Sequence, residues 1–484
     1  MALETPDALL RRANQLLTAG NIPAAIEAHE RLLAVRPDLS DSWYNLGYLH
    51  RCARQFEAAL AAYAEALARG VAGPEEVHVN RAVILSEHLD RGEAAEADLQ
   101  AALRANPHYL VAWLNLGNLY EDWGEPVRAR SAYEEALKIA PNNGRALARL
   151  TAIRIFEGQA TGTPARLRQA LASPGISLDD AAELAFALGN ALDAEGAYED
   201  AFAAFSAANR MSREAAPPGT RYDREAQEAL VDALARMPLR PAAERQDPSP
   251  PQPIFICGMF RSGSTLAEQI LARHSRVTAG GELEYIPALV QTKLQPYPQA
   301  LAQARPKMLT ELQQAYLGEL KSIHPSADLV TDKRVDNFLH VGLIKALFPD
   351  AKIIHTVREP LDNILSVYFL HFDSSITYGT DLADIAHFYA QYRRLMAHWK
   401  SLYGIDIFDF SYDAVVTDPK PTIRALLDFC GLEWEPGCLA ARRTDAVRTA
   451  SSWQVRQPLH ARSSGRWRNY SGHLGPVRDM LDLA

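Results

Sequence analysis

At 484 residues the chain exceeds what one ordinary hydrophobic core organises, so two or more domains are expected. Hydrophobic residues at 48% and charged residues at 23% exclude a chain dominated by disorder, and a formal net charge of −9 argues against a nucleic-acid partner. Four scattered cysteines (Cys52, Cys257, Cys430 and Cys438) form no C-x-x-C pair, no run of about 18 apolar residues occurs, and the first residues carry no signal-peptide pattern. Reduced thiols, a cytoplasmic location and no membrane span are the expectations.

The first half of the chain repeats. Trp113, Leu116, Gly117, Tyr120, Ala129, Tyr133, Ala136 and Pro141 form a helix–turn–helix signature, and Trp43, Leu46, Gly47, Ala59, Tyr63 and Ala66 form an earlier copy. Weaker copies end at Pro37 (Ala25, Leu32) and at Pro107 (Ala95, Leu99, Ala102), and a later one carries Leu188, Gly189, Leu192, Ala201, Phe205 and Ala208. Pro107 and Pro141 are 34 residues apart. Signature and period resemble the tetratricopeptide repeat, in which small residues let paired helices approach while an aromatic fills the gap to a neighbour. An alanine-rich helical bundle is the competing reading. Such an array offers a groove to a peptide or protein, or a surface for self-association.

Between 212 and 252 the chain becomes proline-rich, with one amphipathic stretch over 222–235, which marks a domain boundary. Beyond it, short apolar runs predict strands over 254–257, 329–331, 353–357 and 405–410, alternating with helical patterns. That alternation predicts a parallel sheet covered on both faces, with ligands held beyond the strands' C-terminal ends.

Three groups follow strands. Gly258 and Gly263 have the G-x-x-x-x-G spacing of a phosphate-binding loop, but Ser264 stands where a nucleotide-triphosphate loop carries its lysine, and Arg261 lies inside the loop. Backbone N–H groups at the helix start can cradle a phosphate, aided by Arg261, Ser262, Ser264 and Thr265. The competing reading is a plain Gly/Ser turn. Arg358 ends the strand over 353–357 with Ser366 eight residues on, a pair that can grip a second phosphate or be an ordinary surface arginine and helical serine. Lys333, after the strand at 329, can reach the loop or belong to a solvated charge cluster.

Taken together these residues resemble the sulfotransferase superfamily, with order and spacing most similar to its tyrosylprotein sulfotransferase branch, here joined to tetratricopeptide repeats. The resemblance implies an all-α tetratricopeptide superhelix over 5–211, a proline-rich connector with a short helix over 212–252, and an α/β P-loop-like sulfotransferase domain with a central parallel sheet over 253–484. It implies 3′-phosphoadenosine 5′-phosphosulfate (PAPS) as co-substrate and no metal. Arg261, Ser262, Gly263, Ser264 and Thr265 map to its 5′-phosphosulfate element, and Arg358 and Ser366 to its 3′-phosphate element. Glu282, in Gly281-Glu282-Leu-Glu-Tyr-Ile-Pro287, maps to the catalytic base, with Glu284 as the alternative, and Lys333 to the lysine at the transferring group. Tyr412 resembles a tyrosine near the nucleotide, and Ser451 and Arg466 belong to a segment closing over it. Where the tyrosylprotein enzymes carry an arginine two residues after the base, this chain has Glu284, which bears on an acidic-peptide acceptor.

The expected reaction is transfer of a sulfuryl group to an acceptor hydroxyl on a peptide tyrosine, a carbohydrate or a small molecule. The competing functions are a P-loop kinase or NTPase, which the absent lysine disfavours, and a repeat scaffold with an inactive domain.

Overall fold

The computed structural model describes residues 5–238, 243, 250–439 and 463–482. The first part is helical throughout: α1 (Pro6–Thr18) and α2 (Ile22–Val35), α3 (Ser40–Cys52) and α4 (Phe56–Ala68), α5 (Pro74–Val83) and α6 (Gly92–Ala105), and α7 (Leu110–Asp122) and α8 (Pro126–Ile139) form successive pairs. They are followed by α9 (Gly144–Phe156), α10 (Thr163–Leu171), and the pair α11 (Leu178–Ala194) and α12 (Tyr198–Ala215). Side-chain oxygens of Thr5, Asn21 and Ser177 accept from first-turn amides of α1, α2 and α11, satisfying donors that a helix start leaves open.

The periodic residues have one recurring job. A Cβ on Gly47 would lie 2.6 Å from the Tyr63 ring, on Gly117 2.4 Å from the Tyr133 ring, and on Gly189 2.6 Å from the Phe205 ring. In each pair the second helix therefore lays an aromatic directly on the backbone of the first. Trp43 and Trp113 each donate an indole N–H over 3.0 Å to a carbonyl six residues back, those of Pro37 and Pro107. The expected repeat chemistry is thus expressed as geometry.

The α/β part holds five parallel strands: β1 (Gln252–Gly258), β2 (Val277–Thr278), β3 (Leu329–Lys333), β4 (Ile353–Val357) and β5 (Ile407–Ser411), in the order β2-β3-β1-β4-β5. The helices α13 (Arg224–Ala235), α14 (Ser264–Leu271), α15 (Tyr285–Lys293), α16 (Gln299–Ala302), α17 (Pro306–Ile323), α18 (Val341–Leu347), α19 (Pro360–Tyr368), α20 (Leu382–Tyr403), α21 (Tyr412–Thr417) and α22 (Pro419–Phe429) precede, connect or follow the strands. One sheet face buries Ile254, Ile256 and Ile354 against Leu266 and Ile270 of α14 and Leu426 of α22. Phe255, on the other face, meets Tyr316 of α17 at 6.0 Å and Phe348 at 5.8 Å between ring centroids. Burial on both faces explains why the strands read as continuous apolar runs.

Four strands lie where the sequence predicts them. The two-residue β2 is too short to show a pattern. Ile405, expected in the last strand, is 86% exposed in the turn Gly404–Asp406, and β5 starts two residues later. The all-α region followed by an α/β domain is otherwise as expected, and among the described residues no helix is long and apolar enough to cross a membrane.

By packing, the chain divides into two compact units, one up to Arg154 and one beginning at Ile155. The last helical pair thus belongs with the sheet. The Phe205 ring of α12 stacks on Phe369 (3.9 Å, 15°), Asn209 Nδ2 donates to Tyr368 O over 2.9 Å, and Arg224 of α13 pairs with Asp384 of α20 at 2.6 Å.

Candidate active site

β1 is the central strand, and chain order departs to opposite sides of it: β3 on one flank, β4 on the other. In an open parallel sheet this leaves a crevice beyond the C-terminal end of the central strand. Register places Ile256 beside Lys333 and Gly258 beside Thr356, so residues just past β1, β3 and β4 converge there.

The loop after β1 cannot be built from ordinary residues. Gly258 has φ +154°, and a Cβ on it would lie 2.4 Å from Thr356 Oγ1 and 2.6 Å from Thr356 O, so only glycine lets β1 and β4 stay this close. Arg261 adopts φ +67°, a costly conformation for a residue with a side chain. Ser262 Oγ lies 2.6 Å from both Met259 O and Thr356 Oγ1, so this hydroxyl braces the loop from beneath. Ser264 and Thr265 open α14, at the end where helix amides face the loop.

Three elements meet at Arg261. Its Nε donates to Ser366 Oγ of α19 over 3.1 Å, and Arg358 Nη1 donates to the Arg261 carbonyl over 3.1 Å. The Arg358 guanidinium lies 4.9 Å from the Tyr412 ring centre, and the same ring approaches Gly263. Burial, reinforced by the nearby Arg358 and Arg466 charges, pulls the Arg261 guanidinium down to about 10. Burial likewise lowers Arg358, whose buried Nε has no hydrogen-bond partner. Both effects favour an anion arriving here.

Lys333 and Glu282 form the other flank. Lys333 Nζ lies 2.6 Å from Glu282 Oε1, the lysine side chain 2% exposed and the glutamate 55%. With one partner this open to water, the pair contributes at most about 1 kcal/mol to stability, so its value is positional. The turn before Glu282 is tied to the sheet by Glu268 of α14, whose Oε1 accepts from Gly281 N over 3.0 Å and Thr331 Oγ1 over 2.7 Å. Burial raises the Glu268 carboxyl, with Lys333 opposing the shift. Glu284, the alternative base, is held by Arg334 Nη1 at 2.6 Å, and that arginine also pairs with Asp336 at 2.8 Å.

The structure thus gathers Arg261, Gly263, Arg358, Ser366 and Tyr412 at one point and Lys333 with Glu282 at another. Arg466 makes a two-point ion pair with Asp193 of α11 (Nη2–Oδ2 2.8 Å, Nε–Oδ1 3.1 Å), while Ser451 lies outside the described residues. Sequence reasoning missed Glu268, whose signal was a lone acid on the inner face of α14. It also missed Asp362, which accepts from Trp467 N over 2.7 Å and from Gly465 N, and whose partners are remote in sequence. Among the described residues no group of three or more His, Cys, Asp or Glu side chains is gathered as metal ligands would be.

Comparison with known proteins agrees with this architecture. The sulfotransferase family model matches residues 253–436, and tetratricopeptide repeat models match 10–76 and 111–143. An uncharacterized protein of Aquifex aeolicus (strain VF5) is 30% identical over 421 residues, 84% of this chain and 54% of that protein. The protein-tyrosine sulfotransferase of Drosophila melanogaster is 24% identical over 262 residues, 48% of this chain and 50% of that protein. The chain therefore spans about half the length of these two relatives. Among solved structures, the sulfotransferase domain of the Synechococcus PCC 7002 olefin synthase aligns with 51% of this chain and 97% of its own at 20% identity and a TM-score of 0.37. The chain thus carries tetratricopeptide repeats followed by a sulfotransferase-family domain over residues 253–436.

Proposed function

We propose that the α/β domain transfers a sulfuryl group from PAPS to an acceptor hydroxyl, with Glu282 as general base. The observation that carries this reading is the pair of sites flanking the end of β1: a cationic cradle around Arg261 and Arg358, and the Lys333–Glu282 pair. The cradle fits a nucleotide with two phosphate-bearing ends, because the unpartnered Arg358 Nε and the glycine-lined loop each call for an anion. PAPS, when bound, would supply the activated sulfuryl group, and adenosine 3′,5′-bisphosphate would leave with the bridging oxygen on its 5′-phosphate.

The protein's own residues do the rest. Arg358 and Ser366 hold the 3′-phosphate, while loop amides with Ser264, Thr265 and Arg261 hold the 5′ end. Lys333 offers its ammonium to charge growing on the departing oxygen. Glu282 takes the acceptor's hydroxyl proton as the new S–O bond forms and the old one breaks, an in-line displacement governed by positioning and charge. A peptide tyrosine is the first acceptor to test, given the similarity to a protein-tyrosine sulfotransferase. The repeats suit recruitment of a protein or peptide, or self-association.

The test uses radiolabelled PAPS and a lysate of the host, with wild-type protein and Glu282→Gln. Transfer is expected to fall by about 10²–10⁴-fold in the variant, with affinity for adenosine 3′,5′-bisphosphate nearly unchanged. Undiminished turnover would remove Glu282 as the base, and binding of ATP–Mg²⁺ in place of the bisphosphate would overturn the reaction. Whether label enters protein, glycan or small molecules identifies the acceptor.

A further inference from the structure

The last helical pair shares the repeat series' Gly–aromatic contact at Gly189–Phe205, yet several of its side chains, Asp193 among them, are committed to the α/β domain. Asp193, near the end of α11, accepts from Arg466 through both carboxylate oxygens (2.8 and 3.1 Å) and from the Tyr470 hydroxyl. Asp193 is 19% and Arg466 27% exposed, so the pair is partly shielded from water. The Arg466 guanidinium also lies 5.1 Å from the Phe369 ring centre, and Phe369 is stacked on Phe205 of α12. Both supports of Arg466 therefore depend on this helical pair.

The segment around Arg466 reaches the nucleotide cradle. The Ser463 carbonyl accepts from Arg358 Nη2, and the Gly465 and Trp467 amides donate to Asp362 in the first turn of α19, the helix that carries Ser366. Arg466 is close enough for its charge to act on both Arg261 and Arg358. Like charges repel, and a carboxylate that fixes Arg466 decides where the segment touching Arg358 sits before an anion arrives. Preassembly of this kind raises affinity because binding no longer has to order the groups.

We propose that Asp193 is a positioning residue of the nucleotide site, holding Arg466 and the strand of chain around it against Arg358. The inference rests on the nucleotide reading given above. It makes the final repeat pair part of the donor site and gives it a role beyond recruiting a partner. Residues that only docked the helices would act on stability; Asp193 acts through Arg466.

The experiment is calorimetric binding of adenosine 3′,5′-bisphosphate to the full chain and its variants. Asp193→Asn keeps the shape and an acceptor oxygen but removes the charge. Its Kd is expected to rise about tenfold, the size of a lost charge-assisted arrangement, with the KM for PAPS rising in parallel and kcat held. Arg466→Ala should weaken binding at least as much, and the double variant should bind no worse than Arg466→Ala alone, since the two residues act through one contact. Tyr470→Phe removes a second donor to Asp193 and leaves the ion pair, so its Kd should stay within about twofold of wild type. An unchanged Kd in Asp193→Asn, additive losses in the double variant, or an equal loss in Tyr470→Phe would each overturn the proposal while leaving the nucleotide reading intact. Failure of the wild-type chain to bind the bisphosphate would overturn both.

Discussion

Asp332 lies beside Lys333 on β3 but serves the opposite face, fully buried, with its carboxylate accepting from Tyr316 Oη over 2.8 Å and Asn337 Nδ2 over 3.1 Å. Burial outweighs these bonds and pushes its carboxyl up to about 7. In an unfolded chain the same group titrates at about 3.9. Between those values the folded chain holds a proton that the unfolded chain lacks. The stability linked to Asp332 is therefore complete below about pH 4 and is lost as pH rises toward about 7, a change on the order of a few kcal/mol. The raised carboxyl of Glu268 acts with the same sign. Thermal midpoints of wild type and Asp332→Asn across about pH 5–8 are expected to diverge, the variant showing the flatter curve; parallel curves would exonerate Asp332. At this scale the candidate residues after the strands were legible because their types are unusual there: an arginine inside a glycine loop, a lysine ending a buried strand. Glu268, Asp332 and Asp193 were not, because a buried or paired acid looks like a surface acid until its partner is known.

Among elements, the repeat pairs were the most legible, since a glycine and an aromatic sixteen residues apart recur at Gly47–Tyr63, Gly117–Tyr133 and Gly189–Phe205. The structure explains the spacing by contact and makes it testable. Tyr133 cannot easily retreat, because its hydroxyl is bound to Glu121 Oε1 at 2.6 Å and Asn118 Oδ1 at 2.7 Å. Gly117→Ala is thus expected to destabilise the first unit by about 1–3 kcal/mol through overpacking, read as a lower urea midpoint with an unchanged slope. A midpoint equal to wild type would show that the helices can separate at no cost. The elements that escaped the sequence are the short ones: β2 has too few residues for alternation, and the turn at Gly404–Asp406 put an exposed isoleucine where a strand was expected.

At the scale of the molecule, the proline-rich stretch over 212–252 reads as a boundary, while packing groups the described residues from Ile155 onward as one unit. The reason lies in what α11 and α12 cover. Phe202 stacks on His473 at 3.8 Å, Phe205 on Phe369 at 3.9 Å, and Glu199 pairs with His473 at 2.9 Å. A chain beginning at residue 155 is accordingly expected to fold and, under the proposed function, to match the full chain in its affinity for adenosine 3′,5′-bisphosphate. One beginning at 253 should expose the Phe369 and Tyr470 surface, aggregate on size-exclusion chromatography and bind more weakly. Equal affinity and a monodisperse peak for the shorter chain would show that the helical pair is dispensable.

The order of amino acids alone determined the helix period, the parallel strand–helix alternation and the identity of the loop after β1, because each is written in neighbours a few residues apart. It also named Arg261, Glu282, Lys333 and Arg358 as residues of interest. Which of them meet was decided only by the tertiary structure: Arg261 finds Ser366 across 105 positions, and Arg466 finds Asp193 across 273. Local patterns govern backbone conformation and which faces are buried. Pairings between distant side chains depend on strand order and helix packing, which are properties of the whole chain, and it is there that α11 and α12 joined the unit that holds the sheet.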